Sequence, residues 1–107
     1  MSFQAFDVAL EMIGHLRQPL AAIAQRDPDL AQQLRRAAAS VPLNLSEGRR
    51  RQGRDRLHLF RVAAGSADEV VATLRVAEAW GHVQRASIAP ALTSCDRVLA
   101  MVWRLTH

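Results

Sequence analysis

The stretch from Gln33 to Gly65 constrains the fold of this chain more than any other. A helical spacing of apolar residues runs through Pro42 and stops at Gly48, five arginines then follow within eight residues, and the helical spacing resumes. Apolar residues that recur every three or four positions are typical of one face of an α-helix. The stretch therefore predicts a helix bent at Pro42, a basic turn and a second long helix.

The same spacing occurs along the rest of the chain and predicts four helices, at about residues 3–25, 28–48, 54–80 and 88–106. Asp27-Pro28-Asp29 is a start signal for the second helix, and Ser87 is the expected N-cap of the fourth. The stripes expected to face the core include Leu30, Leu34, Ala37, Val41 and Leu45 in the second helix, and Leu57, Phe60, Ala64, Ala67, Val71 and Leu74 in the third. Short links favour antiparallel neighbours, so we expect an all-α, up-down-up-down four-helix bundle with residues 1–107 as one domain.

Composition agrees with packed helices and gives the chain a basic character. Half of its 107 residues are hydrophobic, only 5% are aromatic, and the formal net charge is +4. Asp7 and Glu11 interrupt the first apolar run, which is unlike a signal peptide, and no apolar stretch has the length needed to cross a bilayer. These features predict a cytoplasmic protein without membrane contact, and the positive charge favours an acidic partner.

Several polar and small residues of the central stretch are predicted to be structural. Ser40, Asn44 and Glu47 share one side of the second helix, where they can hydrogen-bond backbone groups freed by Pro42 or bridge to a neighbouring helix. Gly48 is the expected helix stop. Catalysis by these residues would need a nucleophile with a base beside it. The nearest histidine in the sequence is His58, so we prefer the structural role. Gly65 and Ser66 lie in the middle of the third helix, where they predict the close approach of another backbone.

The basic turn is the candidate nucleic-acid site. Its proposed phosphate contacts are Arg49, Arg50, Arg51 and Arg54, with Arg35 and Arg36 as second-tier contributors. Guanidinium groups donate two hydrogen bonds to phosphate, and a turn presents them freely. The alternative is a solvated loop that Glu47 and Asp55 partly neutralise. No aromatic residue interleaves these arginines, so contact with the backbone is favoured over base stacking.

Other residues argue against an enzyme and in favour of self-association. The four histidines and Cys95 lack metal-ligand spacing, and no glycine-rich nucleotide loop is present, so we expect no cofactor and no metal. Trp80 and Trp103 close the third and fourth helices, where they can pack at the bundle end or in an oligomer contact. Apolar residues outside the core stripes favour the oligomer; they are Leu10, Val62, Val70, Val76, Met101 and Leu105.

The central stretch resembles a family of bacterial four-helix bundles encoded in intervening sequences of 23S ribosomal RNA genes. The matching elements are Leu34-Arg35-Arg36-Ala37, Ser40-Val41-Pro42, Asn44-Leu45, Glu47-Gly48, and then Phe60, Ala64, Gly65-Ser66 and Glu69. The resemblance implies an antiparallel bundle that assembles as a homopentamer with a central channel, and no catalytic residues come with it. Related bundles serve as accessory proteins of reverse transcriptases in diversity-generating retroelements, where a basic pentamer binds both the polymerase and nucleic acid.

Two functions therefore compete at the level of sequence. One is a nucleic-acid-associated accessory module that binds RNA or DNA, or a nucleic-acid enzyme such as a reverse transcriptase, through a basic oligomeric surface. The other is an oligomeric scaffold for protein partners with no nucleic-acid role. An enzyme is the third and least favoured function, because the sequence shows no acid, base and nucleophile that would act together.

Overall fold

The computed structural model describes residues 3–107 and confirms the all-α bundle. Within this range the chain forms α1 (Gln4–Arg26), α2 (Pro28–Arg49), α3 (Gly53–Ala79) and α4 (Arg85–Thr106). Helices that are neighbours in sequence pack against each other, and α4 packs back on α1, which closes a square of antiparallel helices. This order places the α2–α3 turn, the start of α1 and the end of α4 at one end of a bundle of 42 × 22 × 21 Å.

The start of α2 follows the sequence signal. The side chain of Asp27 accepts a hydrogen bond from the amide of Leu30 at 3.0 Å, and Pro28 occupies the first helical position. The aspartate thereby satisfies one of the amides that have no partner within the helix. The turn between α1 and α2 consists of Asp27 alone.

The end of α3 and the start of α4 are set by backbone hydrogen bonds. Gly81 has φ +80°, its amide donates to the carbonyl of Glu78, and the amide of His82 donates to that of Ala77. This is a Schellman motif, which satisfies carbonyls at a helix end. The expected N-cap at Ser87 is wrong, because α4 begins at Arg85 and the Ser87 hydroxyl donates to the carbonyl of Gln84 at 2.8 Å.

The core confirms most of the α2 stripe and corrects the one in α3. Leu34, Ala37, Val41 and Leu45 are buried, whereas Leu30 is half-buried. In α3 the predicted residues Phe60, Ala67 and Leu74 are buried, but Leu57, Ala64 and Val71 are only half-buried. Their places in the core are taken by Ala63, Val70 and Ala77. Val70, expected outside the core, is fully buried, so the core face of α3 is rotated from the predicted one.

The two central glycines have roles opposite to those expected. Gly48 does not stop α2, which continues to Arg49; it is buried where a Cβ would lie 2.8 Å from the Phe60 ring. Gly65 was expected at a close approach, yet it is exposed and a Cβ there would meet nothing within 4 Å. The close contact between α2 and α3 is therefore made at Gly48, at one end of the bundle.

Three helices of the described range continue through an internal proline. These are Pro19 in α1, Pro42 in α2 and Pro90 in α4. Because Pro42 lacks an amide proton, it cannot donate to the carbonyl of Ala38, and the bend expected there stays a prediction. Across residues 3–107 none of the helices combines the length and apolar character that a membrane span requires.

Candidate nucleic-acid interface

The basic turn is short and its geometry is fixed by the helices on either side. The amide of Arg50 donates to the carbonyl of Glu47 at 3.1 Å, and that of Arg51 donates to Gly48 at 3.0 Å. The chain then reverses at Gly53, whose φ of +58° lies in the left-handed region that glycine adopts without steric cost. The arginines of the turn therefore project from a rigid reversal between two packed helices.

Arg56 uses its guanidinium group to close the end of α2. Its Nε donates to the carbonyl of Gly48 at 3.3 Å, and an Nη donates to that of Arg49 at 2.9 Å. These carbonyls lie in the last turn of α2, where carbonyl groups lack partners within the helix. In the sequence, Arg56 is the last of the five arginines of the basic turn, and a role in closing a helix end was not predicted for it.

Arg49 and Arg51 are also engaged within the chain. The guanidinium carbon of Arg49 lies 5.5 Å from the centroid of the Phe3 ring. Arg51 forms an ion pair with Glu47, with an Nη to Oε1 distance of 2.7 Å, and both side chains are about half exposed. Such exposed ion pairs contribute only about 0–1 kcal/mol to the stability of the folded state. Of the two carboxylates expected to neutralise the turn, Glu47 is therefore the one that pairs with Arg51.

Arg50 and Arg54 are exposed, and neither makes an ion pair or a side-chain hydrogen bond within residues 3–107. Arg104 lies in the last turn of α4, which ends at the same side of the bundle. We call this surface the basic end; it comprises Arg49, Arg50, Arg51, Arg54, Arg56 and Arg104. Within it Arg50 and Arg54 are the arginines most available to a ligand.

The second-tier residues Arg35 and Arg36 do not join the basic end. They precede Arg49 by 14 and 13 residues along α2, which corresponds to about 20 Å at ~1.5 Å per residue. Arg35 lines a groove between α1 and α2, and Arg36 is exposed on the side of α2 that carries Ser40. The structure thus separates these two residues from the four turn arginines with which they were grouped.

The polar residues beside Pro42 form a hydrogen-bonded bridge between α2 and α3. The hydroxyls of Ser40 and Ser66 lie 2.7 Å apart. The Asn44 amide group donates to the backbone carbonyl of Ser40 and to its hydroxyl, both at 2.9 Å. This arrangement satisfies half-buried polar groups between packed helices. The Ser40–Ser66 contact is a bridge between helices, whereas the carbonyl that accepts from Asn44 is that of Ser40 and not that of Ala38.

Outside the basic end, the titratable groups include a buried thiol and a histidine that lies near an aspartate. Burial, with Asp96 and Asp68 adding to it, raises the pKa of the Cys95 thiol from 9.0 to about 12, so the thiol stays protonated at neutral pH. Within residues 3–107 no three His, Cys, Asp or Glu side chains are grouped to hold a metal ion. At the opposite end of the bundle, Nε2 of His82 lies 3.8 Å from a carboxylate oxygen of Asp27.

Comparison with known proteins gives a family and a fold. The model of the family described as 23S rRNA-intervening sequence protein matches residues 4–104. The chain is also similar to a crystal structure from Bacteroides thetaiotaomicron, a protein of unknown function from the S23 ribosomal protein family. That likeness has a TM-score of 0.85 at 15% identity and covers 95% of this chain and 97% of the other, so it shows a shared fold. The search of curated proteins found no match.

Proposed function

This chain belongs to the 23S rRNA-intervening sequence protein family, and we propose that it is a non-enzymatic bundle that binds the phosphate backbone of RNA or DNA through its basic end. The observation that carries the proposal is the exposure of Arg50 and Arg54, which lack partners within residues 3–107. Such guanidinium groups are free to donate paired hydrogen bonds to phosphate oxygens. Nucleic acid is the common cellular ligand that offers phosphates in a row.

The start of α3 adds to the attraction for anions. Gln52 stands at its N-cap without a side-chain cap hydrogen bond, and a helix N-terminus carries a partial positive charge. Arg51 is a further contributor, because phosphate can replace Glu47 in an exposed ion pair of low stability. The ligand would therefore meet both fixed backbone dipoles and mobile arginine side chains.

The expected mode of binding is electrostatic and independent of base sequence. Each phosphate that the protein neutralises releases counterions, so the logarithm of the binding constant should fall with the logarithm of salt concentration. The slope is about 0.9 for each duplex phosphate and about 0.7 for each phosphate of a single strand. Loss of two arginine contacts should lower the slope for a duplex by roughly 1.8.

The proposal is tested by fluorescence anisotropy with labelled RNA and DNA at several salt concentrations. The double variant Arg50→Gln/Arg54→Gln should bind every sequence more weakly and with a smaller salt slope than the parent. The matched control is Arg26→Gln/Arg75→Gln, which removes the same charge from exposed positions outside the basic end. Equal binding by the parent and the first variant, or no binding by the parent at low salt, would refute the proposal.

A second candidate function is an oligomeric scaffold for protein partners, favoured by exposed apolar side chains. Leu43 is 66% exposed, Trp103 61% and Trp80 72%, in a chain that has few aromatic residues. Tryptophan in particular is enriched at protein interfaces. A protein that self-associates but fails to bind RNA and DNA at low salt would favour this function over the first.

A further inference from the structure

The fold brings an exposed aromatic side chain to the basic end from a distant part of the chain. Trp103 lies in the last turn of α4, and α4 ends on the same side of the bundle as the α2–α3 turn. The residue is 61% exposed. The arginines of the turn have no aromatic residue among them in sequence, but in the folded protein a tryptophan shares their end of the bundle.

The indole ring of Trp103 is covered on one face and open elsewhere. The ring of His107 stacks on it, with centroids 3.3 Å apart and an interplanar angle of 20°. Nδ1 of His107 also lies 3.2 Å from the carbonyl oxygen of Trp103, which ties the imidazole to the helix end. Because Trp103 keeps most of its exposure in spite of this stack, its open surface comprises the other face and the edges of the indole.

The other aromatic residues of the described range do not offer such a surface at this end. Phe60 is buried, and Phe3 and Phe6 are half-buried. Trp80 is 72% exposed, but it follows α3 at the opposite end of the bundle. Trp103 is therefore the aromatic side chain that a ligand of the basic end can reach.

Trp103 lies on the flank of α4 that borders α3. The opposite flank of α4 carries Arg97, which donates a hydrogen bond to the carboxylate of Glu11 on α1 at 2.9 Å. Trp103 follows the half-buried Leu99 by four residues, so the two share the flank that is turned away from α1. In a square of helices the neighbour on that flank is α3.

Two arginines of α3 border this flank near Trp103. Asp68 of α3 acts electrostatically on the Cys95 thiol of α4, so these two residues lie at about the same position along the bundle. Trp103 lies eight residues beyond Cys95, and Arg61 and Arg54 lie seven and fourteen residues before Asp68. Steps of seven residues are close to two full turns, about 10 Å. Because α3 and α4 are antiparallel, Arg61 is level with Trp103, and Arg54 lies about 10 Å further toward the basic turn.

The surroundings of Trp103 suit the backbone of a nucleic-acid strand. Arg54 and Arg61 are exposed, and neither makes an ion pair or a side-chain hydrogen bond within residues 3–107. The separation of about 10 Å corresponds to about three nucleotides of a stacked strand at 3.4 Å each. Asp68 and Asp96 lie seven residues from Arg61 and from Trp103, which is about 10 Å, or one Debye length at ordinary ionic strength.

We infer, on the basis of the proposed function, that Trp103 is a stacking platform for an unpaired base, and that the basic end thereby takes single-stranded RNA or DNA as its ligand. The arginines hold the phosphates, and one base of the strand lies on the open face of the indole. The bases of a duplex are paired and stacked inside the helix, so they do not reach a ring on the protein surface. Every base has a π-face, and the contact is therefore tolerant of sequence.

The test compares labelled oligonucleotides that differ in whether a base is available, by fluorescence anisotropy at physiological salt. The ligands are a DNA single strand of mixed sequence, an abasic strand with the same number of phosphates, and a blunt-ended duplex, and the single strand and duplex are repeated as RNA. The parent should bind the single strand at least about fivefold more tightly than the abasic strand or the duplex, which is the lower bound for stacking on one aromatic residue.

Trp103→Leu should lose this advantage, while its affinity for the abasic strand and the duplex and its salt slope stay unchanged, because the arginines are intact. Trp103→Phe should keep part of the advantage. The matched control is Trp80→Leu, which removes the other exposed tryptophan, at the opposite end, and should bind as the parent does. In Trp80→Phe the chain has Trp103 as its single tryptophan, and its fluorescence should be quenched by the single strand but not by the abasic strand.

Circular dichroism establishes that each variant is folded. The inference is overturned if the parent binds the abasic strand or the duplex as tightly as the single strand, or if Trp103→Leu keeps the parent's advantage. It is also overturned if Trp103→Leu weakens all ligands alike. In each of these cases the proposed function still stands if Arg50→Gln/Arg54→Gln lowers the salt slope, whereas failure of the parent to bind any of the ligands at low salt refutes both.

Discussion

Replacement of Gly48 with alanine tests how tightly the basic end is packed on the core. A Cβ at this position would lie 2.8 Å from two ring atoms of Phe60 and 3.2 Å from the Cβ of Leu59. The Phe60 ring is only 4% exposed and lies 5.9 Å from the ring of Phe3, centroid to centroid. The ring therefore has no open space to move into, and the added methyl group must displace packed atoms.

The size of the effect follows from a comparison with Gly65→Ala. Overpacking of a filled site costs about 1–3 kcal/mol, whereas alanine in place of glycine within a helix gains about 1 kcal/mol. At Gly65 the new methyl group would meet nothing within 4 Å, so only the gain applies. The gain in helix propensity is similar in both variants. The cost of overpacking remains, so Gly48→Ala should be less stable than Gly65→Ala by about 1–3 kcal/mol.

The assay is urea denaturation followed by circular dichroism, with the parent and both alanine variants at one protein concentration. A third variant, Phe60→Leu, removes part of the ring that the new methyl group meets. In that background Gly48→Ala should cost less than in the parent, a departure from additivity that marks direct contact. Equal stability of the two alanine variants, or strict additivity with Phe60→Leu, would refute the packing argument.

Two further predictions concern groups inside the bundle. Asn44→Ala should lower the free energy of unfolding in urea by about 1 kcal/mol, because two hydrogen bonds to Ser40 are lost against a small gain in helix propensity. Unchanged stability would contradict a stabilising role for these two hydrogen bonds. The pKa of Cys95, raised to about 12 by burial, Asp96 and Asp68, means that the native state keeps a proton that the unfolded state loses. The stability of the parent relative to Cys95→Ala should therefore fall as pH rises from about 9 to about 12, and a constant difference across urea titrations in that range would contradict this.

The bundle was predictable from sequence because its local signals agree with one another. Asp27 and Pro28 set the start of α2 as expected, and most of the α2 stripe is buried as predicted. In α2 Leu34, Val41 and Leu45 are buried on one face, so helical spacing identifies that face even though Leu43 is exposed. Short links then leave antiparallel packing of sequence neighbours as the simple solution.

The details that sequence could not give depend on which helix faces which. In α3 alanines fill the core while Val71 is half-buried, so side-chain size is a poor guide to the inner face. The distinction between Gly48 and Gly65 lies in the position of Phe60 on the neighbouring helix. The candidate site shows the same limit, because Arg56 closes the end of α2 through contacts that no spacing rule identifies.

The closed square of helices also sets an order of events for folding. The α2–α3 pair is joined across 26 residues by Ser40 and Ser66, whereas the α1–α4 pair is joined across 86 residues by Glu11 and Arg97. The loop-closure entropy for the longer span is greater by about 1 kcal/mol, since each doubling of length costs about 0.6 kcal/mol. The helical hairpins can therefore form locally, and we expect the α1–α4 seam to form last and open first.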